Sequence, residues 1–467
     1  MQCVQSKFFL PVLFGVLAAT GAHAASWTGN GPTQSWDDPA NWGAGGVPNG
    51  AVAEINAGTT ESDPALITNG VTAAPTDLYV GSEADCLGHL RVEAGGVLRP
   101  SGATYLGRSG VNGTGQGNGT LVNRGGSIFL REVRVGSDRG NANTPYGHGS
   151  LIHESGTLVI SNIWYFGIGG DAHFKADADF TALGITYFGY RGNADGVASQ
   201  TMELGAVTAS FQNITMAFNQ TDRLDGKIIL RGTTLNHAAA SGNSLIVRGG
   251  PNAAGVLRGW GTVQGGALLN NGKIIADGEG VARDLDLRYY YATTNLSQTT
   301  VRDNTGWYAV NKGRMLFREF TQGAGNFDFC AGDREVNWNL YAANSARVTL
   351  NGMQAGQIKP SLLAPDHPDA PETGFPLAAV KSVWNFETPA FASASIIFRY
   401  DETSVRDVSL LRVLRYNPAS QTWGRVAATH DAATLRFTTA SLAPQGGANL
   451  GLFALVELPP PTLFLVR

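Results

Sequence analysis

A short phrase, repeated five times, constrains this chain more than any other feature. Two bulky residues lead into a glycine at Tyr79-Val80-Gly81, Tyr105-Leu106-Gly107, Arg134-Val135-Gly136, Tyr165-Phe166-Gly167 and Tyr187-Phe188-Gly189, at steps of 22 to 31 residues. Between them a second phrase recurs, at Gly88-His89-Leu90-Arg91-Val92, Gly119-Thr120-Leu121-Val122-Asn123 and Gly149-Ser150-Leu151-Ile152-His153. Short strands and glycine corners repeating every 20 to 50 residues or so mark a stacked array. Each unit is too small to bury its own apolar face and must lie on the next one. Alternation along Leu90-Arg91-Val92 sends successive side chains to opposite faces, and the inward ones stack about 4.8 Å apart. The predicted fold is all-β: a right-handed parallel β-helix (a β-solenoid) followed by a small antiparallel β-sandwich.

The boundaries follow from changes in pattern. Residues 1–24 read as a secretory signal peptide: Lys7 precedes the apolar stretch 8–17, and Ala22-His23-Ala24 is a small-x-small cleavage site before Ala25. That stretch is too short to span a membrane. Residues 25–76 form an N-terminal capping region with Trp27, Trp36 and Trp42. These rings suit either an apolar lid over the first coil or a sugar-stacking platform, and the lid is the reading we favour. The solenoid with its C-terminal cap occupies 77–358. Residues 359–376 read as a linker, because Pro360, Pro365, Pro368, Pro371 and Pro376 disfavour both helix and central strand. Five strand-like runs between 377 and 458 form the sandwich, and 459–467 is a tail.

The Trp36-Asp37-Asp38-Pro39-Ala40-Asn41-Trp42 run, Gly46-Val47-Pro48-Asn49 and the glycine-rich phrase from Leu257 to Gly278 resemble secreted bacterial β-solenoid proteins of the autotransporter-passenger type. The resemblance covers roughly residues 27–320 and implies an extended protein, released or held at the bacterial envelope. The chain departs from true autotransporters in having no membrane β-barrel after the coils.

Charged residues make up 15% of the chain and the net charge is −4, which gives no basic footprint for nucleic acid. With the signal removed, Cys86 and Cys330 remain. In an oxidising compartment they could pair, but they lie far apart in a linear array, and two separate buried thiols is the reading we favour. The fold does not depend on a disulfide framework. Gly-x-Ser-x-Gly, phosphate-loop, Cys-x-x-Cys and zinc-protease patterns are absent. His148 and His153 have the wrong spacing for a helical zinc pair and read as a loop and a strand histidine. No cofactor is expected. Calcium is the one metal with candidate ligands, at Asn193, Asp195, Asp401 and Glu402, residues that turns also use for backbone hydrogen bonds.

A β-helix enzyme acting on polysaccharide would need paired carboxylates or a base beside them. Glu132 with Asp138 is one candidate pair. The densest titratable run is Asp171, His173, Lys175, Asp177 and Asp179, which alternation would place on one face. The same run also suits a solvated face. Tyr165 and Tyr187 could bind glycans if their row faces outward. The sequence therefore points to an exported non-enzymatic surface or matrix protein serving adhesion or structure, secreted or at the bacterial cell surface. Its expected partners are extracellular polysaccharide or cell-surface components, with no nucleic acid and no membrane span. A secreted carbohydrate-active lyase or hydrolase and a glycan-binding module are the rivals.

Overall fold

In the computed structural model the residues described are 24–43, 46–83, 85–108, 115–137, 147–191, 198–216, 224–238, 244–249, 253–289, 306–331, 343–445 and 449–459. The signal segment 1–23, Asp138, Asn193 and Asp195 lie outside them, as does most of the tail.

The expected parallel β-solenoid forms, and each coil contributes to three faces. The first face stacks Ala25–Ser26, Ala53–Ile55, Leu78–Val80 and Ala103–Arg108, then 132–137, 163–168, 185–191 and 213–216, ending at Ser244–Val247 and Ala267–Asn270. The second runs from Ala65–Ile67 and Leu87–Glu93 through Asp171–Ala176 and Ala198–Leu204 to Lys273–Asp277 and Trp307–Asn311. The third runs from Thr72–Ala73 and Val97–Leu98 to Arg283–Tyr289 and Gly313–Leu316. Inward residues such as Val80, Leu106, Val135, Phe166 and Phe188 are fully buried and form the core column.

The repeated glycines earn their place at the corners. Gly81, Gly107, Gly136, Gly167 and Gly189 all have positive φ, between +60° and +77°. At Gly107 an added Cβ would lie 1.9 Å from the carbonyl oxygen of His148, one coil on, so neither the turn nor the coil spacing admits a side chain.

Coils begin earlier than the sequence suggests. Ala25–Ser26 already pairs with Ala53–Ile55, so 25–76 supplies coils as well as a cap. Its tryptophans form the lid: Trp36 is fully buried, its ring lies 4.7 Å from that of Trp42, and Trp42 in turn packs edge-on against Trp27. With their faces buried these rings offer no platform for sugars.

At the other end the linker is a correction. Gly356–Leu363 is a strand, and Pro360 lies within it. It pairs antiparallel with Val380–Glu387 on one side, and with Gly313–Leu316 and Phe320–Gln322 on the other. Pro360 is tolerated because its carbonyl accepts from Phe317 N–H at 3.1 Å. In an antiparallel ladder a residue's N–H and C=O point to the same side, so the missing donor faces the gap at 317–319 between the two partner strands.

The C-terminal unit is antiparallel, as expected, but it recruits strands assigned by sequence to the solenoid cap. Gly325–Ala331 and Ser345–Met353 join Ser393–Arg399, Arg436–Thr439 and Ala428–Asp431 in a five-stranded sheet. Facing it, Val380–Glu387, Gly451–Glu457, Leu411–Asn417 and Thr422–Arg425 extend the third face of the solenoid. Phe329, Phe386, Phe398 and Phe453 meet between the two layers, with ring centroids 5.8–6.4 Å apart. Cys86 and Cys330 are both free thiols, the second buried.

Candidate functional site

The three faces carry three different surface chemistries. On the second, Asp171–Ala176 alternates as the sequence predicts: Asp171, His173 and Lys175 point outward while Ala172, Phe174 and Ala176 are buried. The strand stops at Ala176, however. Asp177 and Asp179 sit in the corner that follows, so the five residues do not share one face. The corner is set by Asp177 N–H donating to the His153 carbonyl at 2.8 Å and by His153 Nε2 donating to the Asp179 carbonyl at 3.0 Å. His153 is fully buried with Asn123 on its other ring nitrogen at 3.2 Å, and burial lowers its pKa.

These side chains do not converge on a common point. Asp171 Oδ1 accepts the Ser199 backbone N–H at 2.7 Å, and Asp179 Oδ1 accepts that of Thr208 at 2.7 Å. Asp77 does the same for Ala103 at 2.7 Å. Each aspartate thus fastens one coil to the next. Lys175 pairs with Asp177 at 2.7 Å, and that hydrogen bond raises the lysine pKa, the opposite of what a general base needs. Glu203, Arg231 and Glu279 continue as an ion-pair chain across the coils, and His173 Nε2 lies 3.5 Å from Glu203. Glu132 is held by Arg134 at 2.6 Å.

The first face is aromatic. Tyr165 and Tyr187 do face outward, between the buried Phe166 and Phe188, and they are in register with Arg134, Tyr105 and Tyr79. Tyr79 and Tyr105 stack at 4.7 Å with planes 3° apart, and Tyr165 and Tyr187 stack at 5.6 Å. The Arg134 guanidinium bridges the two pairs, 5.2 Å from the Tyr105 ring and 5.4 Å from Tyr165. The ladder spends ring faces on one another and shows edges to solvent. A sugar stacks on a face, so this row fits the platform role poorly.

The third face is uncharged over its central coils. Thr208, Thr234 and Thr262 stand in register, beside a second row of Thr181, Ser210, Asn236 and Gln264. A shallow depression of about 270 Å³ opens here, lined by Thr157, Asp179, Thr181, Thr208 and Ser210 among others.

That face leads to a cavity the sequence did not reveal. Where the solenoid meets the sandwich, Asp286, Arg288, Arg314, Arg318, Glu319 and Lys359 line about 650 Å³ together with Leu316 and Pro360. Asp286 pairs with Arg288 at 2.6 Å, yet burial holds its carboxyl above the usual range, with Glu319 adding to the rise. Arg314 is held by Asp284 and Asp369 at 2.6 and 2.7 Å. The alternation in Asp284-Leu285-Asp286-Leu287-Arg288 was a local signal, but its neighbours come from residues 314–319 and from the strand read as a linker.

Among the described residues no group of three or more His, Cys, Asp or Glu side chains could hold a metal ion. Asp401 caps its own turn, accepting from Thr403 N–H at 3.0 Å. No helix among them is long and apolar enough to cross a membrane. No protein-family model, curated protein or solved structure matches the chain.

Proposed function

We propose that the chain is an exported, non-enzymatic β-solenoid that acts at the bacterial cell surface or in the extracellular matrix, adhering to polysaccharide or other surface components along its outer faces. One observation carries this reading. Asp171 and Asp179, from the densest titratable run, accept backbone N–H groups of the next coil and so serve the scaffold. The signal-like segment 1–24 and the likeness of the coils to autotransporter passengers favour export.

A second reading, a carbohydrate-active enzyme, draws support from the junction cavity alone. Asp286 is a half-buried carboxyl whose pKa is raised, beside the exposed Glu319, the kind of environment a general acid uses.

The test is incubation of the purified chain with a panel of polysaccharides, scoring retention and release of new sugar ends. Retention without release is the expected result. Release of sugar ends that disappears in Asp286→Asn would replace the scaffold reading with the enzymatic one.

A further inference from the structure

On two of the three faces many charged side chains are engaged within the molecule. On the second face charges are joined in ion pairs, between coils at Arg124–Glu154, Glu203–Arg231 and Arg231–Glu279 and within one coil at Lys175–Asp177. On the first, tyrosine rings and Arg134 occupy one another. The third face differs. The hydroxyls of Thr157, Thr181, Thr208, Ser210, Thr234 and Thr262 have no hydrogen-bond partner among the described residues, although their strands are paired coil to coil. Behind the outward positions, Ala209, Leu235 and Val263 are fully buried, so the array stands on a packed floor. β-Branched threonines have little χ1 freedom on such a strand, and the hydroxyls are therefore held in place before any ligand arrives.

We infer that this hydroxyl face is a binding track for a neutral polysaccharide chain, a proposal that rests on the adhesion reading above. Three properties select the ligand. The repeat from coil to coil is about 4.8 Å, close to the length of one hexose along an extended chain. Threonine presents a methyl group beside each hydroxyl, and a neutral sugar likewise presents C–H and O–H groups side by side. From Thr181 to Gln264 the two rows contain no lysine or arginine. A polyuronate laid there would lose water from its carboxylates and find no cation to receive them. Asp179, at the edge of the depression, already has one oxygen on Thr208 N–H and repels such a polymer further. The amides of Gln264 and Asn236 join at 2.7 Å and continue the track. It ends where Thr262 meets Asp286 and Gln264 meets Arg288, at the mouth of the junction cavity.

The experiment compares retention of the purified chain on cellulose and chitin particles, which are neutral, with retention on polygalacturonate and alginate gels, which are acidic. The triple variant Thr208→Val/Thr234→Val/Thr262→Val keeps the branched shape and removes three hydroxyls. Ser210→Ala/Asn236→Ala tests the neighbouring row if the triple variant melts early. Retention on a neutral particle, weakened at least tenfold in a variant with an unchanged melting temperature, is the expected result. Neutral retention unaltered in both variants would overturn the track and leave the adhesion reading standing. Retention on the acidic gels alone would overturn the assignment of a neutral ligand. Retention on none of the four would overturn both the track and the polysaccharide adhesion beneath it.

Discussion

The Oδ1 of Asp179 accepts the backbone N–H of Thr208 at 2.7 Å, joining two residues that lie one coil apart. An aspartate that sequence patterning offers as a catalytic acid is a fastener between coils. Replacing it with alanine leaves that N–H without its partner, whereas asparagine keeps an acceptor in place. Asp179→Ala should lose about 1 kcal/mol of unfolding free energy in urea and Asp179→Asn much less. Equal losses for both would sink the fastener role.

Gly107 makes a sharper case, since φ is +62° and the neighbouring coil leaves no room for a Cβ. Gly107→Ala should cost about 3 kcal/mol or more, the backbone strain and the clash acting together. Gly70 has φ +81° with nothing within 4 Å of its Cβ position, so Gly70→Ala should cost only about 1 kcal/mol. Chemical denaturation of the pair separates strain from crowding.

Arg134 links the two tyrosine pairs of the first face. Arg134→Met should lower stability by about 1 kcal/mol through the lost cation–π contacts and leave polysaccharide retention unchanged. A loss of retention in this variant would move the binding surface to the aromatic face.

His237 is buried, and burial pushes its imidazole down from 6.5 to about 4. Between those values the unfolded chain binds a proton that the folded chain refuses, so stability is complete above the unfolded pKa and falls as the pH drops through this window. Going from about pH 7.5 to about pH 5, this residue alone should remove about 2 kcal/mol. His153 shifts in the same direction, so the difference between wild type and His237→Leu is the quantity to measure. A wild type and variant that lose stability in parallel would exclude His237 as the source.

The solenoid was legible because its instructions are local. Each Tyr-x-Gly phrase carries its own strand, its own buried residue and its own positive-φ corner, and repetition confirms the period. The limits of that reading are also physical. Alternation predicts the facing of Asp171, His173 and Lys175, but it fails at Asp177, because the corner is fixed by His153 from the preceding coil. Proline read as a linker at Pro360 because sequence cannot show that the partner strand is interrupted opposite it. The junction cavity shared that fate: Asp286, Glu319 and Lys359 meet only once this strand is in place. The facing of Tyr165 was legible, whereas the loss of its ring face to Tyr187 depends on stacking between coils.

The pairing of Gly313–Leu316 with Gly356–Leu363 has a consequence for assembly. A parallel stack normally ends in a bare row of N–H and C=O groups, onto which another copy could add and lengthen the rod without limit. On the third face that row is consumed by a strand running the opposite way, and the template for further parallel growth is gone. Trp36 and Trp42 cover the first coil at the far end. At this end of the third face, parallel addition of a further copy therefore finds no bare row of matching groups.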